Sequence, residues 1–315
     1  MAIHPRSWAP LWTRRFAAGE CPCGSLKRAR KCCYTVDNRW AAKVSPAVAI
    51  SSPPSGHSHP RCLLKHLGDC DPESSREHFI SKSVLKVLDE RQIRVRGLPW
   101  QEEEVEVVGI NSLVSKRILC RKHNTALSPL DGVAAYFFRG LVEMLFGPDA
   151  GAKERPFRVV SGHDLERWLL KVYLGSIASG TARRVAKQPI AIDDIDPSLM
   201  QILAGGANFP KDAGLYFRAE LGRRADAEVM LDFGVRYDPS TSPPVYGGSI
   251  MTLAGFQFSV ITDVRAIEKD WPWHHRQQMI TTLRGHIKRG MFLSWREGTV
   301  DTSIGREDLH TVRRN

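Results

Sequence analysis

Apolar positions recur at helical spacing in two stretches, 132–147 (GVAAYFFRGLVEMLFG) and 163–179 (HDLERWLLKVYLGSIAS). In the second, Leu165, Trp168, Leu169, Tyr173 and Ile177 stand three and four residues apart, which predicts an amphipathic helix. A polar loop, 149–155, separates the two. After about residue 185 the pattern changes to partial alternation. The segments 215–221 (LYFRAEL), 229–237 (VMLDFGVRY) and 250–262 (IMTLAGFQFSVIT) predict strands, and 240–248 (STSPPVYGG) reads as a hairpin-like connection. The basic stretch 271–289 reads as a final amphipathic helix with a solvated cationic face. Residues 44–60 (VSPAVAISSPPSGHSHP) have few large apolar side chains and read as a linker. No internal repeat is present.

These elements predict an α+β protein. Its expected parts are a small N-terminal knuckle with an arm (1–43), the linker (44–60), a cysteine- and histidine-bearing unit (61–132), and a C-terminal α/β domain with antiparallel strands (133–315). A hydrophobic fraction of 42% and a charged fraction of 25% over 315 residues suit a globular chain. No apolar run approaches the roughly 18 residues that span a bilayer, which argues against an integral membrane protein. The first twenty residues carry Arg6, Arg14 and Arg15 but no apolar stretch of the secretory kind, so the expected location is cytoplasmic. Lysine and arginine number 45 against 34 acidic residues, a net charge of +11. That excess favours a polyanionic partner such as nucleic acid.

All seven cysteines lie in the first 120 residues, and the expected cytoplasmic location argues against a disulfide framework. Segregated thiols in a reducing compartment point to metal. Cys21, Cys23, Cys32 and Cys33 (CPCGSLKRARKCC) are close enough in sequence to form a tetrahedral Zn²⁺ site, and the metal would supply most of the folding energy of so short a segment. Their spacing resembles the SEC-C motif, a zinc module found at protein termini, with Pro22, Gly24, Ser25, Lys27 and Lys31 also on its pattern and Leu26 in place of a glycine. The resemblance covers about 14 residues. It implies zinc binding and docking to a partner protein, not catalysis.

A second group comprises Cys62, Cys70, Cys120 and His123, a plausible Cys₃His zinc site, with His66 an alternative to Cys70. Four protein ligands leave no open position, so this ion would be structural. It would tie the turn at Cys120 to the segment before Glu77-His78 and so bring Glu77, His78 and Asn124 together. A carboxylate and an amide oxygen suit Mg²⁺ or Mn²⁺, and an imidazole accepts a proton near neutral pH. One such ion with one base is a minimal device for phosphodiester hydrolysis. Asn124 also reads as a helix N-cap, and Asp131 as an ordinary solvated acid rather than a further acid near the site.

This set resembles the zinc-stapled branch of the HNH, or ββα-metal, endonuclease superfamily over about 70 residues. The resemblance implies His78 as general base, Glu77 and Asn124 as ligands of the catalytic ion, and the four zinc ligands as a staple. Three features depart from it: Phe-Ile-Ser after His78, a long insertion within 89–106, and Cys-x7-Cys where the pattern has Cys-x2-Cys. The expected function is DNA hydrolysis, in defence or mobile-element biology. The alternative is a non-catalytic zinc adaptor that binds nucleic acid or protein. The segment WPWHH at 271–275 interleaves aromatics with cations, a pattern that can also stack on bases. No P-loop, dinucleotide fingerprint or serine nucleophile elbow is present.

Overall fold

The computed structural model describes residues 11–36, 38–78, 80–89, 91–97, 105–146, 157–182, 190–218, 231–238, 240–241, 245–253, 256–267, 273–284 and 287–296. In chain order these form β1 (Ser74–His78), α1 (Lys82–Leu88), β2 (Gln92–Arg96), β3 (Glu106–Gly109), β4 (Val114–Cys120), α2 (Arg121–Phe146), β5 (Phe157–Ser161) and α3 (Gly162–Ala178). There follow α4 (Ser198–Ala204), β6 (Gly214–Arg218), β7 (Leu231–Asp238), β8 (Val245–Leu253), β9 (Phe256–Ile261), β10 (His274–His275), β11 (Met279–Arg284) and β12 (Ile287–Ser294). The architecture is mixed α+β with mostly antiparallel sheets. No helix among the described residues is long and apolar enough to cross a membrane.

Three sheets surround α3. One is the antiparallel pair β1–β4, the second has the order β10-β6-β9-β8-β7-β2-β3, and the third has the order β11-β12-β5. Helix α3 is capped by Ser161, whose Oγ accepts from the Asp164 N–H, and it is buried from Gly162 to Ile177. Its apolar side is the one read from the sequence. Its polar side is buried too, because each charge there has a partner. Asp164 accepts from the Ser45 N–H at 3.0 and 2.9 Å, and the Arg276 guanidinium lies 2.9 Å from Glu166. Arg167 donates to the Leu203 and Ser45 carbonyls, and Lys171 pairs with Asp131 at 2.9 Å. Asp131 is therefore not a solvated acid. It also accepts from Ser81, whose Oγ in turn accepts from Trp168 Nε1 at 2.8 Å.

Between β1 and β4 the chain inserts α1 and the hairpin β2–β3. This insertion does not bulge freely. Strand β2 pairs in parallel with β7, an Arg96–Asp232 ion pair at 2.6 Å ties the edge, and one core cluster runs from Cys62 to Leu293. Gly97 follows at φ +79°, and a Cβ there would stand 2.2 Å from the Phe233 carbonyl oxygen, so glycine permits the close approach. Helix α2 begins directly after β4 and runs through residue 132 without a break. Its Pro129 leaves the Thr125 carbonyl to Ser128 Oγ, at 2.8 Å.

Three further sequence expectations change. The basic stretch at 271–289 forms β10, a turn at Arg276, β11 and the start of β12, not a helix, where it is described. Its β12 segment pairs with β5, and Met291, Phe292 and Leu293 are all buried by that distant partner. Arg276 and Arg289 are buried with acceptors, so no solvated cationic face forms from them. Trp273 is buried and His275 stacks on Tyr216 at 4.8 Å, while Trp271 lies outside the described residues. The run at 250–262 divides into two strands, β8 and β9. Finally, 44–60 lacks regular structure but is anchored. Its N–H groups bond Asp164, the Ala204 carbonyl and the buried carboxylate of Asp69. Backbone donors found acceptors where large apolar side chains were missing.

Candidate metal centres and the site around His78

Cys21, Cys23, Cys32 and Cys33 form one group whose sulfurs all lie within 4.8 Å of one another, and no cysteine is in a disulfide. The tight turns of Cys21–Gly24 and the 3-10 turn Ala29–Lys31 bring the two pairs face to face. Cys23 and Cys32 are 3.6 Å apart and Cys32 and Cys33 3.7 Å. Around a tetrahedral ion with bonds of about 2.3 Å, sulfurs stand about 3.8 Å apart. Burial pushes the Cys21 thiol up to about 11, whereas hydrogen bonds led by that from Cys33 pull Cys23 down to about 4. The group can hold a metal ion, and its donor set suits a soft or borderline cation.

The knuckle does not float. The Pro22 carbonyl accepts from the Val159 N–H at 3.0 Å and from the Tyr136 hydroxyl at 2.6 Å. Phe16 stacks on Phe157 at 5.6 Å, Trp40 meets the same ring at 5.4 Å, and Ser294 accepts from the Ala42 N–H. The apolar side of the knuckle is thus covered by β5 and β12 of its own chain.

The second group is Cys62, Cys70, Cys120 and His123, all buried. It contains Cys70, while His66 is exposed in the 3-10 turn Lys65–Leu67. His123 turns Nδ1 to the sulfurs, 3.3 Å from Cys62 and 3.7 Å from Cys70. A mixed sulfur–nitrogen tetrahedron has edges of about 3.6 Å. Burial pushes the Cys62 thiol up to about 12 and holds the His123 imidazole below its ordinary value, in the neutral form that ligates metals. Arg121, between Cys120 and His123, bonds Asp71, the Glu73 carboxylate and the Glu73 carbonyl, so the corner is fastened from both sides.

This corner places β1 beside β4 and the first turn of α2. A register shift falls between Ser75 and Glu77, and His78 lies opposite Val114 at the far end. Burial chiefly, and the Lys82 charge next, lower the His78 pKa, against a hydrogen bond with the Ile110 backbone. Its Nε2 is buried without a protein partner, which leaves Nδ1 for Ile110. Lys82 Nζ donates to Asn111 Oδ1 at 2.7 Å. Lys82, Ile110 and Asn111 belong to this site and were not singled out from the sequence; residues 110–111 stand more than thirty residues beyond β1, inside the insertion. Asn124 Nδ2 donates to Ser75 Oγ at 2.8 Å, and its Oδ1 makes no hydrogen bond among the described residues. Ser75 is three residues from His78, about 10 Å along an extended strand, so Asn124 and His78 mark two ends of β1. The side chain of Glu77 lies outside those described.

Comparison with protein families, curated proteins and solved structures finds no match for this chain.

Proposed function

We propose that the chain is a metal-dependent endonuclease of the HNH-like, zinc-stapled kind, acting on DNA. The observation that carries this reading is the Cys62/Cys70/Cys120/His123 quartet at the junction of β4 and α2, which fastens the segment before β1 to that corner. The order strand, strand, helix around a closed four-ligand group supports it, as does a half-buried histidine at the end of the first strand.

On this reading both cysteine groups hold Zn²⁺ as structural staples. The neutral His78 imidazole, oriented through Nδ1 by the Ile110 backbone, offers Nε2 as the base that takes a proton from water. Lys82 supplies positive charge beside it. Glu77 and the Asn124 Oδ1 are the oxygen donors for Mg²⁺ or Mn²⁺, which when bound would polarise the phosphate. The adaptor reading has one observation in its favour, the burial of His78 Nε2, which closes that atom to a substrate in this conformation.

A plasmid-nicking assay separates the two. Wild type with Mg²⁺ or Mn²⁺ should nick DNA. His78→Ala should lower the rate by roughly 10²–10⁴-fold with zinc content and fold unchanged. Absence of nicking by the wild type, or nicking indifferent to His78, would leave the adaptor.

A further inference from the structure

Between the docked knuckle and the outer face of α2 lies an open cleft of about 920 Å³. Its lining carries Lys27 from the knuckle, Lys43 from the segment after it, Arg139 from α2 and Arg158 from β5, against a single carboxylate, Glu143. Arg158 is committed: it pairs with Glu143, donates to the Tyr136 carbonyl at 3.1 Å and lies over the Tyr136 ring. Lys27, Lys43 and Arg139 are exposed, and none has an acidic partner among the described residues. Three cations from three separate elements therefore converge on one concavity; of its anions, Glu143 is paired with Arg158 and the thiols of Cys23, Cys32 and Cys33 belong to the metal-binding group on the wall.

The floor has its own peculiarity. Pro129 and Gly132 both lie on it, in the interior of a 26-residue helix. Each disfavours helix there. Packing does not demand the glycine, since a Cβ at 132 would meet nothing within 4 Å. What the missing side chain provides is an open stretch of floor between the cations. The same helical face runs back to Thr125, and Asn124 stands about 100° round the axis from it. Arg139 lies fifteen residues from Asn124, about 22 Å along the axis. A ligand that reaches from the cleft to the β1 end of α2 is a polymer rather than a small ion.

We propose that this cleft seats the phosphate backbone of a nucleic-acid strand, with Lys27, Lys43 and Arg139 as the phosphate contacts and Gly132 as the gap that admits it. The class of ligand rests on the nuclease reading above; the seat and its residues do not depend on cleavage.

Binding is measured by fluorescence anisotropy with a labelled single-stranded DNA oligonucleotide and its duplex. No Mg²⁺, Mn²⁺ or chelator is added, so cleavage is withheld and the cysteine groups stay loaded. The triple variant Lys27→Gln/Lys43→Gln/Arg139→Gln should lose at least about tenfold in affinity and flatten the slope of log K against log salt by roughly two to three. The control Lys86→Gln/Arg91→Gln/Lys211→Gln removes the same charge from exposed sites elsewhere and should change neither quantity. Gly132→Phe fills the floor without altering charge and should weaken binding while the unfolding midpoint holds. Comparing the two oligonucleotides tells which form the seat takes. Undiminished binding by the triple variant, equal losses in the control triple, or no binding by wild type overturns the assignment. Cleft-dependent binding by a wild type that never nicks DNA upholds it and removes the nuclease reading alone.

Discussion

Glu166 illustrates how single residues hold this protein together. Its carboxylate, 2% exposed, accepts from the Arg276 guanidinium and from the Leu215 N–H, so one side chain joins α3, β6 and the turn after β10. Arg276 adopts φ +46°, a conformation unusual for a side-chain-bearing residue, which the ion pair helps to hold. Glu166→Ala leaves a buried cation and a backbone donor without their acceptor. We expect a loss of roughly 3–5 kcal/mol in a urea titration, because an uncompensated buried charge costs more than the pair contributes. A Glu166→Met/Arg276→Met double variant should recover part of that loss. A double variant no more stable than the single one would show that the pair does more than neutralise itself.

At the scale of elements, the segment 44–60 yields the sharpest expectation. It has no helix or strand, yet Asp69 and Asp164 take its N–H groups one after another. Limited proteolysis of the wild type should spare it, and Asp164→Ala should make it an early cleavage point. Early cleavage in both would show that these bonds do not restrain it. The composition of 44–60 truthfully records what the segment lacks, but the carboxylates that anchor it lie elsewhere in the chain. The same limit governs the other elements. Helix α3 was legible because Leu165, Trp168 and Tyr173 repeat at its own period. Strand β12 was not, because Met291, Phe292 and Leu293 are made strand by pairing with β5, more than a hundred residues away. The first metal group was legible in full from ligand type and spacing, and the second in all but the choice between Cys70 and His66, which only the fold decides. The surroundings of His78 were legible only in part: Ile110 and Asn111 reach it across an insertion, and Asn124 bonds Ser75 instead.

For the molecule as a whole, the two cysteine groups predict two zinc ions per chain. Elemental analysis of protein purified without chelator should find a ratio near two, and Cys21→Ser should reduce it to near one. A ratio near zero would remove the staples from the account. The knuckle's contacts give its loss a wider reach than its size suggests. Phe157, Val159 and Phe292 pack against it, so an emptied knuckle uncovers the third sheet as well. Cys21→Ser should accordingly raise binding of a hydrophobic dye, whereas a knuckle that merely hangs from the body would leave it unchanged.

That arrangement also orders events during synthesis. Residues 21–33 leave the ribosome well before 157–161, and 287–294 follow later still, yet the knuckle rests on sheet formed by both. While most of the chain is being made, a metal ion on the four cysteines would be all that holds the knuckle in shape. A nascent chain starved of zinc would reach β12 with nothing prepared to close over it, and its failure would register as aggregation of the full-length product rather than as loss of a dispensable N-terminal piece.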